Sequence, residues 1–535
     1  MRVDVITQPE ELLGLRENWD KLYARDPDAH FFVSWTFLST YLRRFDGSWF
    51  ILGARVGPHR TQYVALLPLR LRTRMKKNAG YFFNEINMGG NYAADYTGIV
   101  CAPELADRAV AAFAKHLKTM NWTRLHLENL RVSERRSRVL LNNLSDERLV
   151  IRKVTRVNKA DGVDNCICPS IELPDTWEAY LEQKLSSNTR QKLRRFMRKV
   201  EGSDEFRITH ADASTVRRDI DILLEFWRNK WGARKGKLLP GILRSNRLLF
   251  EHGFQNGTLF LPVLWHKDRP LGALAFFVDP LKKTMLFHMA GRDETVEVVP
   301  PGLVLHGYCI RYAIEQGFRT YDFLRGNEPY KYTFGAKDTV INCFAVRTRS
   351  GRNLGERLDR RSLGGVLRQA TRFHEEGRSD QAEHAYRQIL ASESGHGPAL
   401  YGLGQLVAAR GDREEAARIY ERLTGIAPES AKAWFRLGVC LQIISRHTEA
   451  VEAFRKASRI RPELIAARYR LGWSMLQLGR SGEAADAFAA LLQYPAEYRG
   501  DDVLRLKARL LLDKLEQDKR PAKIMRQNSQ VPVPP

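Results

Sequence analysis

The chain has no long apolar run. No stretch approaches the roughly 18 uninterrupted apolar residues of a bilayer-spanning helix. The opening MRVDVITQPEELLGLREN contains no apolar core of a secretory leader. Cysteine is sparse, with 6 residues in 535 and no C-x-x-C pair, so reduced thiols and a cytoplasmic location are expected. Cys166 and Cys168 stand as C-x-C before Pro169, too close to supply a four-ligand zinc site, and His252, His288 and His306 are isolated, so no metal is expected. The HExxH, GxSxG and GxxxxGK[ST] patterns are missing. So are the RRM, KH, zinc-finger and helix-turn-helix signatures that would turn a basic composition into a nucleic-acid reader.

Positive charge and core-forming residues are abundant. Lys and Arg number 86 against 62 Asp and Glu, a formal charge of +24 that attracts polyanions without naming one. Hydrophobic residues make up 44%, enough for folded cores, and a chain of this length holds about three to five domains.

The C-terminal third repeats itself. Ala382, Ala416, Ala450 and Ala484 recur at one fixed interval, each followed four positions later by Tyr386, Tyr420, Phe454 and Phe488. Ala370, Gly404, Gly438 and Gly472 keep the same spacing upstream, and Pro428 and Pro462 close two units. Small residues at such positions let paired helices approach closely, while the aromatics fill the seam. This pattern and its period resemble the tetratricopeptide repeat, most completely in Trp434, Leu437, Gly438, Ala450, Phe454, Ala457 and Pro462. The spacing predicts four repeats over 363–496, an amphipathic capping helix in 497–520 and a disordered tail at 521–535. The resemblance implies an all-α solenoid that binds a protein partner.

Residues 1–350 alternate helical and strand-like periodicities. Two hairpin strands, then strand, helix and strand, are expected near 49–128 and again near 258–324. The expectation is two similar α/β units, 1–175 and 176–350, joined to the repeats by a linker at 351–362. One helix is expected across 177–200. Pro300-Pro301-Gly302 opens a helix whose free N–H groups suit an anion, whereas the first copy has Ala102-Pro103-Glu104, with a carboxylate in place of glycine.

Three segments carry a second resemblance: WEAYLEQKLSSNTRQKLRRFMRKV at 177–200, MAGRDETVEVVPPGLVL at 289–305 and YDFLRGNEPYKYTFG at 321–335. With Ala94-Asp95-Tyr96 they resemble GNAT-type acetyltransferases of the CelD/BcsL group, related to Fem-type aminoacyltransferases. The resemblance implies a tandem GNAT-like α/β module that moves an acyl group from acyl-CoA, such as acetyl-CoA, to an amine or hydroxyl of a small-molecule or saccharide acceptor, often in exopolysaccharide production. It implies catalytic roles among Asp322, Glu328, Tyr330 and Lys331, and donor binding by Arg292, Pro301, Gly302, Leu303 and Arg325. Asp95 and Tyr96 would meet the acceptor in a groove between units, or form a turn after Gly89-Gly90-Asn91. Asp322 could equally pair with Arg325, and Lys331 and Arg325 could be solvated strand cations. VVPPGL holds one glycine where the family has several, which leaves a non-CoA donor open.

Arg194 and Arg195 sit in a run from Lys184 to Lys199 that has no acidic residue. It reads either as a solvated helix face or as a contact for an anionic substrate, an acidic membrane surface or tRNA. The rival functions are therefore a catalytically inactive scaffold built around the repeats and a transferase that uses aminoacyl-tRNA.

Overall fold

A computed structural model describes residues 1–43, 48–57, 62–76, 80–90, 93–295, 297–496 and 500–519. The expected tail at 521–535, Asn91 and the ends of the 497–520 segment lie outside the described residues. The chain divides into two units: 1–72 with 84–355, and 73–83 with 356–535. No helix among the described residues is long and apolar enough to cross a membrane.

The first unit is built on two sheets of the same design. In one, the spatial order is Arg2–Ile6, Trp49–Arg55, Ala65–Lys76, Tyr81–Met88, Arg124–Leu130, Asn342–Thr348 and Leu149–Lys153. In the other it is Lys337–Val340, Ile167–Glu172, Thr320–Asp322, Thr284–Arg292, Arg269–Asp279, Pro262–His266 and Phe206–His210. Each sheet contains one parallel pair joined by a crossover helix. Tyr81–Met88 lies beside Arg124–Leu130 across helix Ala106–Leu117, and Thr284–Arg292 lies beside Thr320–Asp322 across helix Pro301–Glu315. This is the duplication the periodicity predicts.

The sheets do not separate at residue 175. Asn342–Thr348, late in the chain, pairs with Arg124–Leu130 and Leu149–Lys153 in the first sheet. Ile167–Glu172, in the first half of the sequence, pairs with Thr320–Asp322 in the second. One apolar core also draws on both halves, with Phe31, Phe32 and Tyr96 beside Phe277, Met289 and Leu324.

The helix expected over 177–200 is two helices, Trp177–Lys184 and Ser187–Glu201. Leu185 is extended, and the Ser186 hydroxyl accepts the Thr189 N–H, so a serine cap starts the second helix where the apolar periodicity alone would run on. The end of the 321–335 run is fixed by Gly335. Its φ is +79°, and an added Cβ would stand 2.4 Å from the Lys184 carbonyl oxygen.

The second unit is a run of antiparallel helix pairs, Leu363–Glu375 to Ser481–Leu492, closed by Asp501–Lys519. The small–aromatic register of the sequence is its packing rule. A Cβ added at Gly404, Gly438 or Gly472 would lie 2.7 Å from the rings of Tyr420, Phe454 and Phe488 respectively. Residues 73–76 and 80–83 belong to this unit. Its Phe82 is buried, donates its N–H to Gln388 Oε1 at 2.8 Å, and accepts from Gln388 Nε2 at 3.0 Å.

Candidate active site

The site forms where two parallel strands part. Thr284–Leu286 pairs with Thr320–Asp322, after which one strand continues to Arg292 while the other turns away through Leu324 (φ +58°) and Gly326 (φ +100°). A cavity of about 630 Å³ occupies the gap. Against the neighbouring strand the register shifts: Ala275 faces Met289, but Phe276 faces Phe287. His288 is thus the extra residue of a bulge, a feature that re-aims side chains and leaves main-chain groups outside the ladder.

The bulge sorts the wall residues. Phe287 packs toward helix Pro301–Glu315, next to His306 and Phe323. His288 packs on the other side, against Phe250 and Phe277. The cavity therefore opens to both faces of the sheet. Gly302, Leu303 and His306 line it from the helix side, and Trp227, Lys230 and Trp231 line it from helix Val216–Lys235.

At the helix end, Pro300 caps without a side-chain hydrogen bond, and the first helical bond runs from the Val304 N–H to the Pro300 carbonyl. The N–H groups of Gly302 and Leu303 precede that bond and are the orphan donors of a helix start. A Cβ on Gly302 would meet nothing within 4 Å. Arg292 and Pro301 both flank Gly272, which places a guanidinium-bearing residue beside the helix terminus. Arg292 pairs there with Glu294 at 2.9 Å.

The 325–331 loop is held from inside. Pro329–Tyr332 is a helical turn, so the alternative of solvated strand cations does not describe Lys331, which is 2% exposed. Its Nζ donates to the carbonyls of Arg325 (3.0 Å) and Gly326 (2.8 Å) and lies 2.9 Å from Glu328 Oε2. Lys331 is thus a buried staple, not a snorkelling cation. Glu328 and Tyr330 line the cavity at this loop. The surrounding protein, and then the Glu328 charge, push the Tyr330 phenol pKa up, so it stays protonated.

Asp95 and Arg325 meet in the cavity wall, Nε to Oδ1 at 2.9 Å, with His288 Nδ1 3.3 Å from Asp95 Oδ2. Burial raises the Asp95 pKa, but Arg325 and His288 outweigh it and hold the carboxyl well below the usual range.

Asp322 is paired elsewhere than expected. It does not bond Arg325; it accepts from the Tyr96 hydroxyl (2.8 Å), the Leu324 N–H (2.8 Å) and Arg131 (2.9 Å). Tyr96 is fully buried, so it faces Asp322 and not an acceptor groove. Arg194 pairs with Glu178, and Arg195 lies over the Phe196 ring at 4.5 Å; neither lines the cavity. Much of that face of helix Ser187–Glu201 is exposed.

Sequence reasoning treats His306 and His288 as isolated and misses Arg131. His306 sits one helical turn after Gly302, on the same face, and that spacing is its available signal. Its Nδ1 and the Tyr321 hydroxyl are 2.7 Å apart. Burial, with the Lys331 charge, lowers its pKa to about 3. His30 is also brought down to about 3 by burial and by Arg131 and Lys282. Both are neutral when folded and titrate near ~6.5 when unfolded, so stability is complete above that pH and is lost as pH falls toward the folded value. From pH 7 to 5 each should cost about 2 kcal/mol. Chemical denaturation at the two pH values checks this, and replacing His30 with Phe should flatten the slope.

A family model described as acetyltransferase (GNAT) domain matches residues 187–332. Two tetratricopeptide-repeat models match 367–431, 401–465 and 466–495. No curated protein matches. Among solved structures, YrrB, titled a TPR protein with an unusual peptide-binding site, is 21% identical over 28% of this chain and 82% of its own, with a TM-score of 0.25. The Yersinia enterocolitica type III secretion chaperone SycD, solved with a peptide of the translocator YopD, is 18% identical over 22% of this chain and 92% of its own, at 0.22. MamA from Desulfovibrio magneticus RS-1 is 21% identical over 24% of this chain and 74% of its own, at 0.23. The chain carries a GNAT-type acetyltransferase domain followed by C-terminal tetratricopeptide repeats.

Proposed function

We propose that the α/β module of residues 1–350 transfers an acyl group from acyl-CoA, acetyl-CoA in the first instance, to an amine or hydroxyl acceptor through the gap between strands Thr284–Arg292 and Thr320–Asp322. The observation that carries this reading is one cavity open to both sheet faces, with a bare helix terminus on one side and an aromatic and charged wall on the other.

The donor fits the helix side. The Gly302 and Leu303 amides and the Arg292 guanidinium suit a phosphate, and the open space over Gly302 admits it. Arg292 supports the binding that a single glycine leaves thin. Acyl-CoA supplies the thioester. Main-chain groups freed at the His288 bulge can face a carbonyl that gains negative charge. Glu328 takes the proton of the acceptor nucleophile, Lys331 and Arg325 fix the Glu328 loop, and Tyr330 offers its retained proton to the leaving thiolate. Asp322 acts through Tyr96 and Arg131 as a positioning residue.

Trp227 and Trp231, one helical turn apart, give the acceptor side a broad aromatic wall suited to the apolar face of a sugar ring. Together with the resemblance of the 321–335 run to the CelD/BcsL group, this supports a saccharide-linked acceptor of envelope or exopolysaccharide metabolism, modified in the cytoplasm. The array at 363–496 would recruit a protein partner to that reaction.

Acetyl-CoA and longer acyl-CoAs should raise the thermal stability of the full chain, by about 2.7 kcal/mol at a hundredfold excess over Kd. Gly302→Glu should abolish the shift by filling the open space with a carboxylate. No shift with any thioester would refute the donor assignment.

A further inference from the structure

Helix Pro301–Glu315 carries one imidazole to the cavity. His306 lines it one helical turn beyond Gly302 and is 3% exposed. Aromatic rings crowd it, with centroids at 4.7 Å for Phe287, 5.0 Å for Phe334, 5.3 Å for Phe323 and 6.0 Å for Tyr330. Such packing fixes the plane of the ring and keeps water from most of it. Buried polar atoms are normally hydrogen-bonded, and here only one ring nitrogen is. Nδ1 meets the Tyr321 hydroxyl at 2.7 Å. Nε2 has no hydrogen-bond partner among the described residues, yet it is not sealed inside the protein, so it opens on the cavity.

Tyr321 decides which nitrogen holds the proton. Its hydroxyl is fully buried and has no second partner among the described residues. If Nδ1–H donated to it, the hydroxyl proton would be left in the core without an acceptor, which costs more than an unused oxygen lone pair. The hydroxyl therefore donates to Nδ1, and the ring proton sits on Nε2. Burial and the Lys331 charge keep the ring neutral. With Nδ1 occupied and Nε2 protonated, the imidazole has no free lone pair, so it is not the base. It is a fixed N–H donor at an aromatic-lined gap.

We propose that His306 is a further catalytic residue, whose Nε2–H donates to the acyl carbonyl oxygen of the thioester as that oxygen gains negative charge. The inference rests on the acyltransferase reading of this cavity. Position favours the carbonyl over the phosphates. Gly302, Leu303 and Arg292 stand at the helix start, whereas His306 lies a turn further in, against Tyr330, whose loop also holds Glu328. A single neutral donor among aromatic rings does little for a phosphate stripped of water, but it stabilises one oxyanion without gaining or losing a proton. In that step the acceptor nitrogen or oxygen bonds to the acyl carbon and its proton passes to Glu328. The C–S bond breaks with its electron pair on sulfur, which takes the Tyr330 proton, and His306 keeps the proton it began with.

The test needs no acceptor. Infrared difference spectra of acetyl-CoA, isotope-labelled at the carbonyl and bound to the full-length protein, report the polarisation of that bond, and titration calorimetry gives Kd. The wild type should move the carbonyl stretch below its frequency for free acetyl-CoA in water. His306→Phe combined with Tyr321→Phe removes the donor and its partner together, so no hydroxyl is stranded in the core. The shift should disappear there while Kd stays within about threefold. His306→Asn is the second variant: its amide oxygen still accepts from Tyr321, but it is too short to place a donor where Nε2 stands, so the shift should again be lost. Acetyl-CoA that binds the wild type with no shift, or a shift retained in either folded variant, would overturn the role of His306 and leave the donor reading standing. A weaker Kd with the shift retained would overturn it as well, since the ring would then only hold the donor. No binding of acetyl-CoA to the wild type would overturn both.

Discussion

Glu328→Gln should lower acetyl-CoA-dependent turnover by about two to three orders of magnitude while leaving the unfolding midpoint nearly unchanged. The side chain is 39% exposed at the cavity, so the fold gains little from it. Its amide isostere fills the same space, and Lys331 keeps its two carbonyl acceptors. What disappears is the ability to take a proton from the acceptor. Lys331→Met should behave differently. It leaves the carbonyls of Arg325 and Gly326 without their buried donor, so both stability and turnover should fall. If Glu328→Gln turns over normally, Glu328 is not the base, and the Asp95–His288 pair in the same wall becomes the group to change next.

Periodicity decides how much of this can be read in advance. In the array each contact is local and recurs once per repeat, so Gly438 against Phe454 is visible as a spacing. The α/β motif is legible for a similar reason, since strand, crossover helix and strand recur with ordinary lengths. Pairing is not legible. Asn342–Thr348 and Ile167–Glu172 are short strands, and nothing in either sequence says that each joins the sheet of the other half. The site divides along the same line. Arg292, Gly302, Leu303, Arg325, Glu328, Tyr330 and Lys331 fall in two short segments and line one cavity, joined by Asp95 from the first half. Asp322 stands out in the sequence for its charge, but its partners Tyr96 and Arg131 lie far back, in the first half of the unit. A sequence that shows a carboxylate near Arg325 cannot show that a more distant arginine reaches it first. The His288 bulge is likewise a property of two strands in register, not of either alone.

Asp322→Leu should destabilise the first unit by about 3–5 kcal/mol, the cost of leaving a buried charge network with one partner removed. Asp322 is 1% exposed and accepts three hydrogen bonds, two of them from the other half of the unit. Removing it strands the Arg131 guanidinium next to the Tyr96 ring, 4.6 Å away, with no carboxylate to balance it. Tyr96→Phe deletes only one neutral donor and should cost about 1 kcal/mol. Arg131→Met combined with Asp322→Leu should cost less than the sum of the single changes, because the second substitution removes the charge that the first leaves uncompensated. Urea denaturation of the four proteins gives the coupling directly, and additive effects would show that the pair does not act as a unit. Asp322 also ends the strand at which the cavity opens, so the Leu variant should lose turnover even at temperatures where it remains folded. Tyr96→Phe keeps the Arg131 and Leu324 contacts and should retain most of the wild-type turnover. A loss in Asp322→Leu that Tyr96→Phe does not share would separate positioning by the ion pair from support by the phenol.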